Sequence, residues 1–222
     1  MLEDVMHDYW RSLCESLQGP RLEAGAMNAF RRLENRYSEP HRHYHTLAHI
    51  EACVRELHEF TARMGSFAPN DSALVELALW YHDAVYHTLR EDNEEKSADL
   101  ACRASIQLFH LQTRELSHLK ELIMATAHRD IPRDPDAKIV CDIDLSSLGA
   151  APDVFDRNTM NIRREYNWMP EAEFNAQTEG FFLRFLHRPT IYTTPYFQAK
   201  YEDQARRNLT RVLESLGSRR ST

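Results

Sequence analysis

The sequence predicts an all-α protein, a single-domain helical bundle. Apolar residues recur at helical spacing in segment after segment. Signals for strands are scarce, because the 222 residues include only six glycines, little alternation of β-branched residues and no Asn-Gly turn. The length suits one large domain with a substantial core, so we expect one helical domain over residues 1–222.

Turn and capping residues divide the chain into helices. The first has apolar residues at every fourth position from Val5 to Leu17, and Gly19-Pro20 ends it. Asp71 is a candidate N-cap, and Pro152 and Pro170 suit the first turns of helices. The predicted helices span 3–18, 21–37, 45–64, 72–86, 93–110, 114–128, 137–148, 153–167 and 171–187, with a last helix from Pro195 to residue 216.

Composition excludes several classes of protein. The net charge of -7 argues against a general nucleic-acid or membrane-surface binder, although local arginines can still form a positive pocket. No apolar run reaches the roughly 20 residues of a membrane span, and the acidic N-terminus lacks the features of a signal peptide. The four cysteines are scattered, which favours reduced core residues in a cytoplasmic protein.

His82 and Asp83 interrupt the apolar segment Leu74–Tyr86, whose spacing predicts a buried helix. An ionised carboxylate that is buried without a partner has a large free-energy cost. Because histidine is a common metal ligand, a bound cation is the most economical partner for this aspartate. The alternatives are a structural core histidine and an aspartate paired with an arginine.

Two further segments place polar residues beside apolar stripes. His45 and His49 lie four residues apart, so a helix would place both imidazoles on one face, where they could bind metal or substrate. A surface histidine pair is the alternative, and this spacing alone favours it. Asp142 and Asp144 directly follow apolar residues, where an unpaired charge would be costly. Their alternative is a solvent-exposed pair at a helix end.

The combination resembles the HD-domain superfamily of metal-dependent phosphohydrolases, and within it a bacterial group of predicted metal-dependent HD phosphohydrolases. The shared segments are RxYHxLxHI from Arg42, WYHDxVY from Trp80, NEExSA from Asn93 and DxDLSxLG from Asp142. Tyr44–His49 also resembles the YHNxxH element of cyclic-nucleotide phosphodiesterases. The resemblance implies an HD-type helical core over 42–149, on which the helices of 153–216 pack.

The resemblance also implies roles for individual residues. The implied metal ligands are His49, His82, Asp83 and Asp144. Asp144 is preferred to Asp142 because the last ligand of the superfamily stands close to a leucine, and Asp142 stays open as the alternative. His45 would act as a general acid toward the leaving oxygen or as a substrate contact. Asp83 or Asp144 would accept a proton from the attacking water.

One position departs from the pattern of the two-metal members of the superfamily. Asn93 stands where the first of their additional histidines aligns, so we expect one divalent ion, with Mn, Fe, Co, Ni, Zn and Mg all open. Glu94 is a candidate for orienting water, unless it is a solvated first-turn carboxylate. His128 and Arg163 are candidate phosphate contacts. Their alternatives are a helix C-terminal histidine and a surface salt bridge.

The expected function is therefore hydrolysis of a small phosphate ester, with a nucleotide as the favoured substrate, by metal-activated water in the cytoplasm. Two other classes stay open: a non-catalytic nucleotide- or metal-binding signalling domain and, less favoured, a di-iron oxygenase of the HD type. We expect a small phosphorylated molecule as the partner, with no membrane and no general nucleic acid. The sequence leaves open whether the chain forms a homodimer.

Overall fold

The prediction of an all-α chain is confirmed. The computed structural model describes residues 2–18, 23–65, 69 and 71–220, and this part of the chain contains helices and no strand. Its α-helices are α1 Leu2–Gln18, α2 Glu23–Tyr37, α3 Leu47–Met64, α4 Ser72–Tyr81, α5 Asn93–Phe109, α6 Thr113–Ala125, α7 Pro135–Asp144, α8 Pro152–Glu165, α9 Glu171–Leu186 and α10 Pro195–Arg220. None of the described helices has the length and apolar character needed to cross a bilayer.

The chain divides into two compact units, residues 1–141 and 142–222. Helix α7 runs without interruption through the boundary, and a 3₁₀ helix, Leu145–Gly149, follows it directly. The single domain expected over 1–222 stays a prediction. The predicted break at Gly19-Pro20 and the first two residues of the predicted helix 21–37 lie outside the described residues.

Helix α4 is the central helix of the first unit. Helices α1, α3, α5 and α6 all pack against it, and every residue from Leu74 to Tyr81 is buried. Trp80 lies edge-to-face with Trp10, with ring centroids 5.2 Å apart, and meets Phe30 at 6.0 Å. Such aromatic pairs add to the stabilisation that burial of apolar area supplies. The prediction that this segment is a buried helix is confirmed.

The N-terminus of α4 agrees with the prediction and its C-terminus does not. The Asp71 carboxylate accepts a hydrogen bond from the Leu74 backbone N–H at 3.0 Å, as expected of an N-cap. The helix ends at Tyr81, five residues before the predicted end at residue 86. His82 and Asp83 therefore lie in the turn after α4, and the prediction that they lie inside the helix is wrong.

The start of α3 also differs from the prediction. Thr46 is the N-cap residue and Leu47 the first helical residue, so His45 lies in the preceding loop. The predicted placement of His45 and His49 on one face of a helix is therefore wrong. The remaining predicted helices agree with the observed ones to within a few residues at each end.

In the second unit the 3₁₀ helix packs closely against α10. A Cβ atom on Gly149 would lie 2.6 Å from the Cβ atom of Tyr201, so the contact requires glycine. The Asn208 amide donates to the carbonyls of Leu148 and Ala150, both at 2.9 Å. These contacts give a structural role to Leu148 and Gly149, the last two residues of the segment DLSSLG.

The cysteines are free thiols, as predicted. Cys14, Cys53 and Cys141 are buried, whereas Cys102 is half-buried. Burial raises the pKa of the Cys14 thiol to about 12, with the nearby charge of Glu76 acting in the same direction. This thiol is therefore protonated at neutral pH and serves the core as a small apolar side chain.

Candidate metal centre

The orientation of His82 is fixed by the buried end of α4. A helix leaves its last carbonyl groups without partners inside the helix, and here each receives a donor. The Ala78 carbonyl accepts the His82 backbone N–H at 2.8 Å, and the Leu79 carbonyl accepts the His82 Nδ1–H at 2.9 Å. The Trp80 carbonyl accepts the Tyr37 hydroxyl at 2.8 Å.

This capping fixes the tautomer of His82. A carbonyl oxygen only accepts hydrogen bonds, so Nδ1 of the ring carries a hydrogen. The neutral ring then has an unprotonated Nε2 atom, which is the form that binds a metal ion. His82 is 2% exposed, so its ring is almost completely removed from water. The turn therefore holds an imidazole lone pair in a defined direction.

Three ligand-type atoms meet at this position in the first unit. The Nε2 atoms of His49 and His82 lie 3.3 Å apart. Oδ2 of Asp83 lies 3.1 Å from the His82 Nε2 atom and 3.7 Å from the His49 Nε2 atom. Two ligand atoms at about 2.1 Å from one ion are separated by roughly 3.0 to 3.4 Å at right-angled or tetrahedral geometry. Two of the three separations fall in this range, and the third, 3.7 Å between His49 Nε2 and Asp83 Oδ2, is slightly longer.

A positive centre is required between these three atoms. An unprotonated Nε2 atom on His82 and an ionised carboxylate on Asp83 are both acceptors. A hydrogen on Nε2 of His49 can be donated to the His82 Nε2 atom at 3.3 Å but not to Asp83 at 3.7 Å. A divalent cation between the three atoms could contact all of them at once. The arrangement fits a cation-binding site because both imidazoles and the carboxylate present lone pairs to one point.

Asp83 is held in its ionised form. Burial is the largest influence on its pKa and raises it, but the charges of His82, His45 and His49 together outweigh burial. The net result is a pKa well below the usual range for aspartate. The side chain is 17% exposed, so a carboxylate that is largely removed from water stays charged because three histidines surround it.

His45 reaches this cluster from the loop before α3. Its ring stacks on Tyr86, with centroids 4.0 Å apart and an interplanar angle of 27°. It meets the His49 ring edge-to-face at a centroid distance of 6.0 Å. His45 is half-buried. The predicted proximity of His45 to His49 is therefore observed, although it comes from a loop and not from helical spacing.

Arg42 organises the cluster, although no role was predicted for it from the sequence. Its side chain is fully buried and donates to the carbonyls of His45 at 3.1 Å, Asp83 at 2.7 Å and Ala84 at 3.3 Å. A fourth bond, of 3.0 Å, joins it to Glu39. One guanidinium thus ties the loop that carries His45 to the turn that carries Asp83. The sequence feature that could have indicated this role is the position of Arg42 as the first residue of the segment RxYHxLxHI.

Cys53 was also missed as a neighbour of the cluster. Its Sγ atom lies 3.7 Å from Nε2 and 3.9 Å from Nδ1 of His49. The four-residue spacing on α3 was the available signal, because residues i and i+4 share a helix face. The sulfur packs against the His49 ring from inside the core.

Asn93 and Ser97 fasten the start of α5 to the polar loop. The Asn93 side chain accepts the His87 backbone N–H at 3.0 Å and donates to the His87 carbonyl, also at 3.0 Å. Ser97 bonds both backbone groups of Val85, at 3.0 and 3.2 Å. The Asn93 amide thus closes the loop.

Glu94 is half-buried in the first turn of α5, and its expected role in orienting water stays a prediction.

His128 follows α6 with a left-handed backbone, φ 51°, and is buried. A non-glycine residue with positive φ is uncommon and often ends a helix. This geometry suits the alternative interpretation of a histidine at a helix C-terminus. The role of His128 as a phosphate contact stays a prediction.

Arg163, in the second unit, is occupied by structural contacts. Its guanidinium donates to the carbonyl of Tyr166 and, at 2.9 Å, to the carbonyl of Met169. It also lies over the Phe174 ring at 4.9 Å. These contacts hold the connection between α8 and α9. A phosphate would have to compete with two carbonyls for this side chain, and its binding role stays a prediction.

Asp142 and Asp144 differ in their surroundings within the second unit. Oδ1 of Asp142 accepts the Thr193 N–H at 2.8 Å and the Thr193 hydroxyl at 3.0 Å, and its Oδ2 accepts the Thr194 N–H at 2.8 Å. Burial raises the pKa of Asp142, although these hydrogen bonds oppose the shift. Asp144 is half-buried at the end of α7. The Asp142 carboxylate is thus engaged with Thr193 and Thr194, the two residues that directly precede α10.

These surroundings predict different effects of the two amide substitutions. Asp142→Asn is expected to lower the free energy of unfolding by about 1–3 kcal/mol, because its amide N–H₂ would face a backbone N–H that needs an acceptor. Asp144→Asn is expected to act mainly on metal content. Urea denaturation of metal-free protein and elemental analysis of purified protein measure the two effects. Loss of metal in Asp142→Asn with unchanged stability would contradict this assignment.

Comparisons with protein-family models, with curated proteins and with solved structures found no match.

Proposed function

We propose that the protein is a metal-dependent phosphohydrolase that cleaves a small phosphate ester, with a nucleotide as the favoured substrate. The observation that carries the proposal is the meeting of three lone-pair donors, Nε2 of His49, Nε2 of His82 and Oδ2 of Asp83, within 3.1 to 3.7 Å of one another. The sequence resemblance to HD phosphohydrolases supports the same ligand set independently of these distances.

Asp144 is the proposed fourth ligand. Its competitor Asp142 already accepts three hydrogen bonds from Thr193 and Thr194, which leaves it poorly suited to bind an ion. Asp144 is the last residue of helix α7, Pro135–Asp144. Two imidazoles and two carboxylates form a mixed set that accepts several divalent metals.

The chain's own groups supply the proton transfers in this proposal. When bound, a divalent metal ion supplies Lewis-acid activation of water and of a phosphate oxygen. Asp83 accepts a proton from the attacking water at a carboxylate oxygen. His45 gives a proton from a ring nitrogen to the leaving oxygen, and its stacking on Tyr86 holds the ring in one orientation. Glu94 orients the attacking water from the first turn of α5.

Substrate contacts are proposed from His128 and Arg163 in addition to the metal. Arg163 has the weaker support, because its guanidinium is bonded to the Tyr166 and Met169 carbonyls. His128 is buried, which would strengthen any hydrogen bond that it makes to a phosphate oxygen. Substitution of each residue by glutamine, followed by measurement of KM and kcat, separates substrate binding from catalysis.

The test is a metal analysis followed by a screen for hydrolysis. We expect purified protein to contain a stoichiometric divalent ion and, with Mn, Fe, Co, Ni, Zn or Mg, to release phosphate from at least one nucleotide. Asp83→Asn is expected to lose turnover by a factor of about 100 or more, as loss of a general base does. Asp130→Asn is the matched control, since Asp130 is an exposed aspartate of the same unit.

The outcomes of this screen distinguish three classes of protein: a hydrolase, a signalling domain and a di-iron oxygenase. Absence of turnover with every metal over a broad nucleotide panel would contradict the hydrolase. Specific nucleotide affinity that survives in His82→Ala without turnover would indicate a signalling domain instead. Two irons per chain would indicate the di-iron oxygenase, against which the engagement of the Asn93 side chain with His87 argues.

A further inference from the structure

A groove in the first unit lies between α2 and α5. It encloses about 700 Å³, which is within the size range of small-molecule sites. Arg32 and Arg36 of α2, Arg103 of α5 and Tyr81, the last residue of α4, all line it. None of the three arginines belongs to the proposed metal centre. The groove is therefore a second candidate site, independent of the proposed function.

The groove carries more positive than negative charge. Within the described part of the chain, the exposed side chains of Arg32 and Arg103 form no ion pair and no hydrogen bond. The acid in the lining, Glu39, bonds Arg42 at 3.0 Å. Three arginines against one glutamate give the groove a positive charge, although the whole chain has a net charge of -7. This charge favours an anionic ligand.

The arginines are placed to act together. Arg32 and Arg36 are one helical turn apart on the same face of α2, so their Cβ atoms lie within about 6 Å of each other. Both are close enough to Tyr81 to lower its pKa, in opposition to burial and Cys14, which raise it. Arg103 approaches from the second helix. Guanidinium groups bind phosphate oxygens in bidentate fashion, so a ligand between the two helices could contact more than one of them.

The walls of the groove add neutral polar groups and apolar surface. Asn28, Asn35 and Gln107 supply side-chain amides, whereas Leu33 and Leu100 supply apolar contacts. This mixture of polar and apolar groups suits a small molecule that has an organic part as well as charged groups. A surface that binds by charge alone would not need the apolar side chains. Two charged ends of such a molecule would meet cations on both helices.

We propose that the α2–α5 groove binds a small soluble molecule that carries at least two phosphate groups. Arg32 and Arg36 bind one phosphate, and Arg103 binds the other from the opposite wall. Arg36 also donates to the Ala84 carbonyl at 3.5 Å, and Ala84 directly follows Asp83. A ligand that engages Arg36 therefore affects a contact of the turn that carries the metal-binding aspartate.

Calorimetric titration with inorganic pyrophosphate tests the proposal on the metal-loaded protein. We expect Arg32→Gln combined with Arg103→Gln to weaken binding by about tenfold or more, because charge-assisted hydrogen bonds are lost on both walls. Arg31→Gln combined with Arg114→Gln is the matched control, with the same change of net charge at two exposed arginines outside the groove. This control is expected to bind within about twofold of the wild type.

Asp83→Asn separates the groove from the metal centre. Pyrophosphate binding that persists in Asp83→Asn and fails in the groove variant supports the proposal. Binding that fails in Asp83→Asn and persists in the groove variant would assign the anion to the metal centre and overturn it. Equal losses in the groove variant and its control, no binding to the wild type, or equally tight binding of citrate would each overturn it as well. Circular dichroism melting establishes that all variants are folded.

Discussion

Replacing His82 with alanine is expected to reduce the metal content of the purified protein from stoichiometric to trace. The ring supplies an unprotonated Nε2 atom 3.1 Å from Oδ2 of Asp83 and 3.3 Å from Nε2 of His49. Loss of an outer-shell partner alone typically weakens metal binding by about 10- to 100-fold, and loss of a ligand should exceed this. Elemental analysis and competition with a chromogenic chelator measure the change.

The same substitution has a second effect that does not depend on metal. The Nδ1–H of His82 caps the Leu79 carbonyl at 2.9 Å, and alanine leaves this buried acceptor without its donor. We expect the metal-free His82→Ala protein to lose about 1–3 kcal/mol of unfolding free energy. His49→Ala removes a ligand and leaves this cap intact, so urea denaturation in chelator should show a smaller loss.

His187→Ala provides the matched control for both effects. His187 is an exposed histidine at the end of α9, and its replacement should change neither metal content nor stability appreciably. Retention of stoichiometric metal in His82→Ala would remove His82 from the ligand set. Equal stability of the His82→Ala and His49→Ala proteins in chelator would contradict the capping role.

The parts of the fold that the sequence predicts are those that local signals determine. Asp71 caps α4 as expected, because an aspartate side chain bonds its own helix three residues later. Pro152 stands at the start of α8 as expected, because its fixed φ and missing N–H suit a first turn. The apolar periodicity of Leu74–Tyr81 predicts burial, and every residue of this range is buried. None of these features depends on distant residues.

The end of α4 could not be predicted in the same way. The apolar pattern continues through Val85 and Tyr86, so the local signal favours a longer helix. At the end of the helix the Trp80 carbonyl accepts the Tyr37 hydroxyl, and in the turn that follows the Asp83 carbonyl accepts the Arg42 guanidinium. Both donors come from residues far away in the chain, and they stabilise the turn in place of a longer helix. Burial, followed by the charge of Asp83, raises the pKa of Tyr37 well above its usual value, so its hydroxyl stays a donor.

The candidate site likewise has some features that the local sequence predicts and others that depend on distant residues. The resemblance to HD phosphohydrolases implied His49, His82 and Asp83, and the side chains of these three residues do meet. The sequence could not separate Asp142 from Asp144, because the partners of Asp142 come from Thr193 and Thr194, about fifty residues later. The contacts that engage Asp142 join residues far apart in the chain, and no local pattern encodes them.

Arg42 is the position outside the proposed ligand set where we expect the largest loss of stability. Its side chain is fully buried and makes three hydrogen bonds to the carbonyls of His45, Asp83 and Ala84, with a fourth to Glu39. Arg42→Ala would leave three carbonyls without these donors and create a cavity. We expect a loss of about 3–5 kcal/mol of unfolding free energy, the range seen when one partner of a buried charged contact is removed.

Two further variants, Arg42→Lys and Arg55→Ala, serve as comparisons for the loss of stability in Arg42→Ala. Lysine keeps the charge but not the planar fork of donors, so it should recover only part of the loss. Arg55 is 65% exposed in its ion pair with Glu51, and its replacement should cost no more than about 1 kcal/mol. Urea denaturation in chelator measures all three variants, and a loss below about 1 kcal/mol in Arg42→Ala would contradict the prediction.

Metal binding should also weaken in Arg42→Ala, although this residue offers no ligand atom. The guanidinium joins the loop of His45 to the turn of Asp83 through bonds of 3.1 and 2.7 Å. Without it, the turn has more conformations to lose when an ion binds, and that entropy lowers the affinity. An unchanged metal dissociation constant in a folded Arg42→Ala protein would mean that the turn is held by His82 and the end of α4 alone. A weakened constant that Arg42→Lys partly restores would identify Arg42 as a positioning residue of the metal centre.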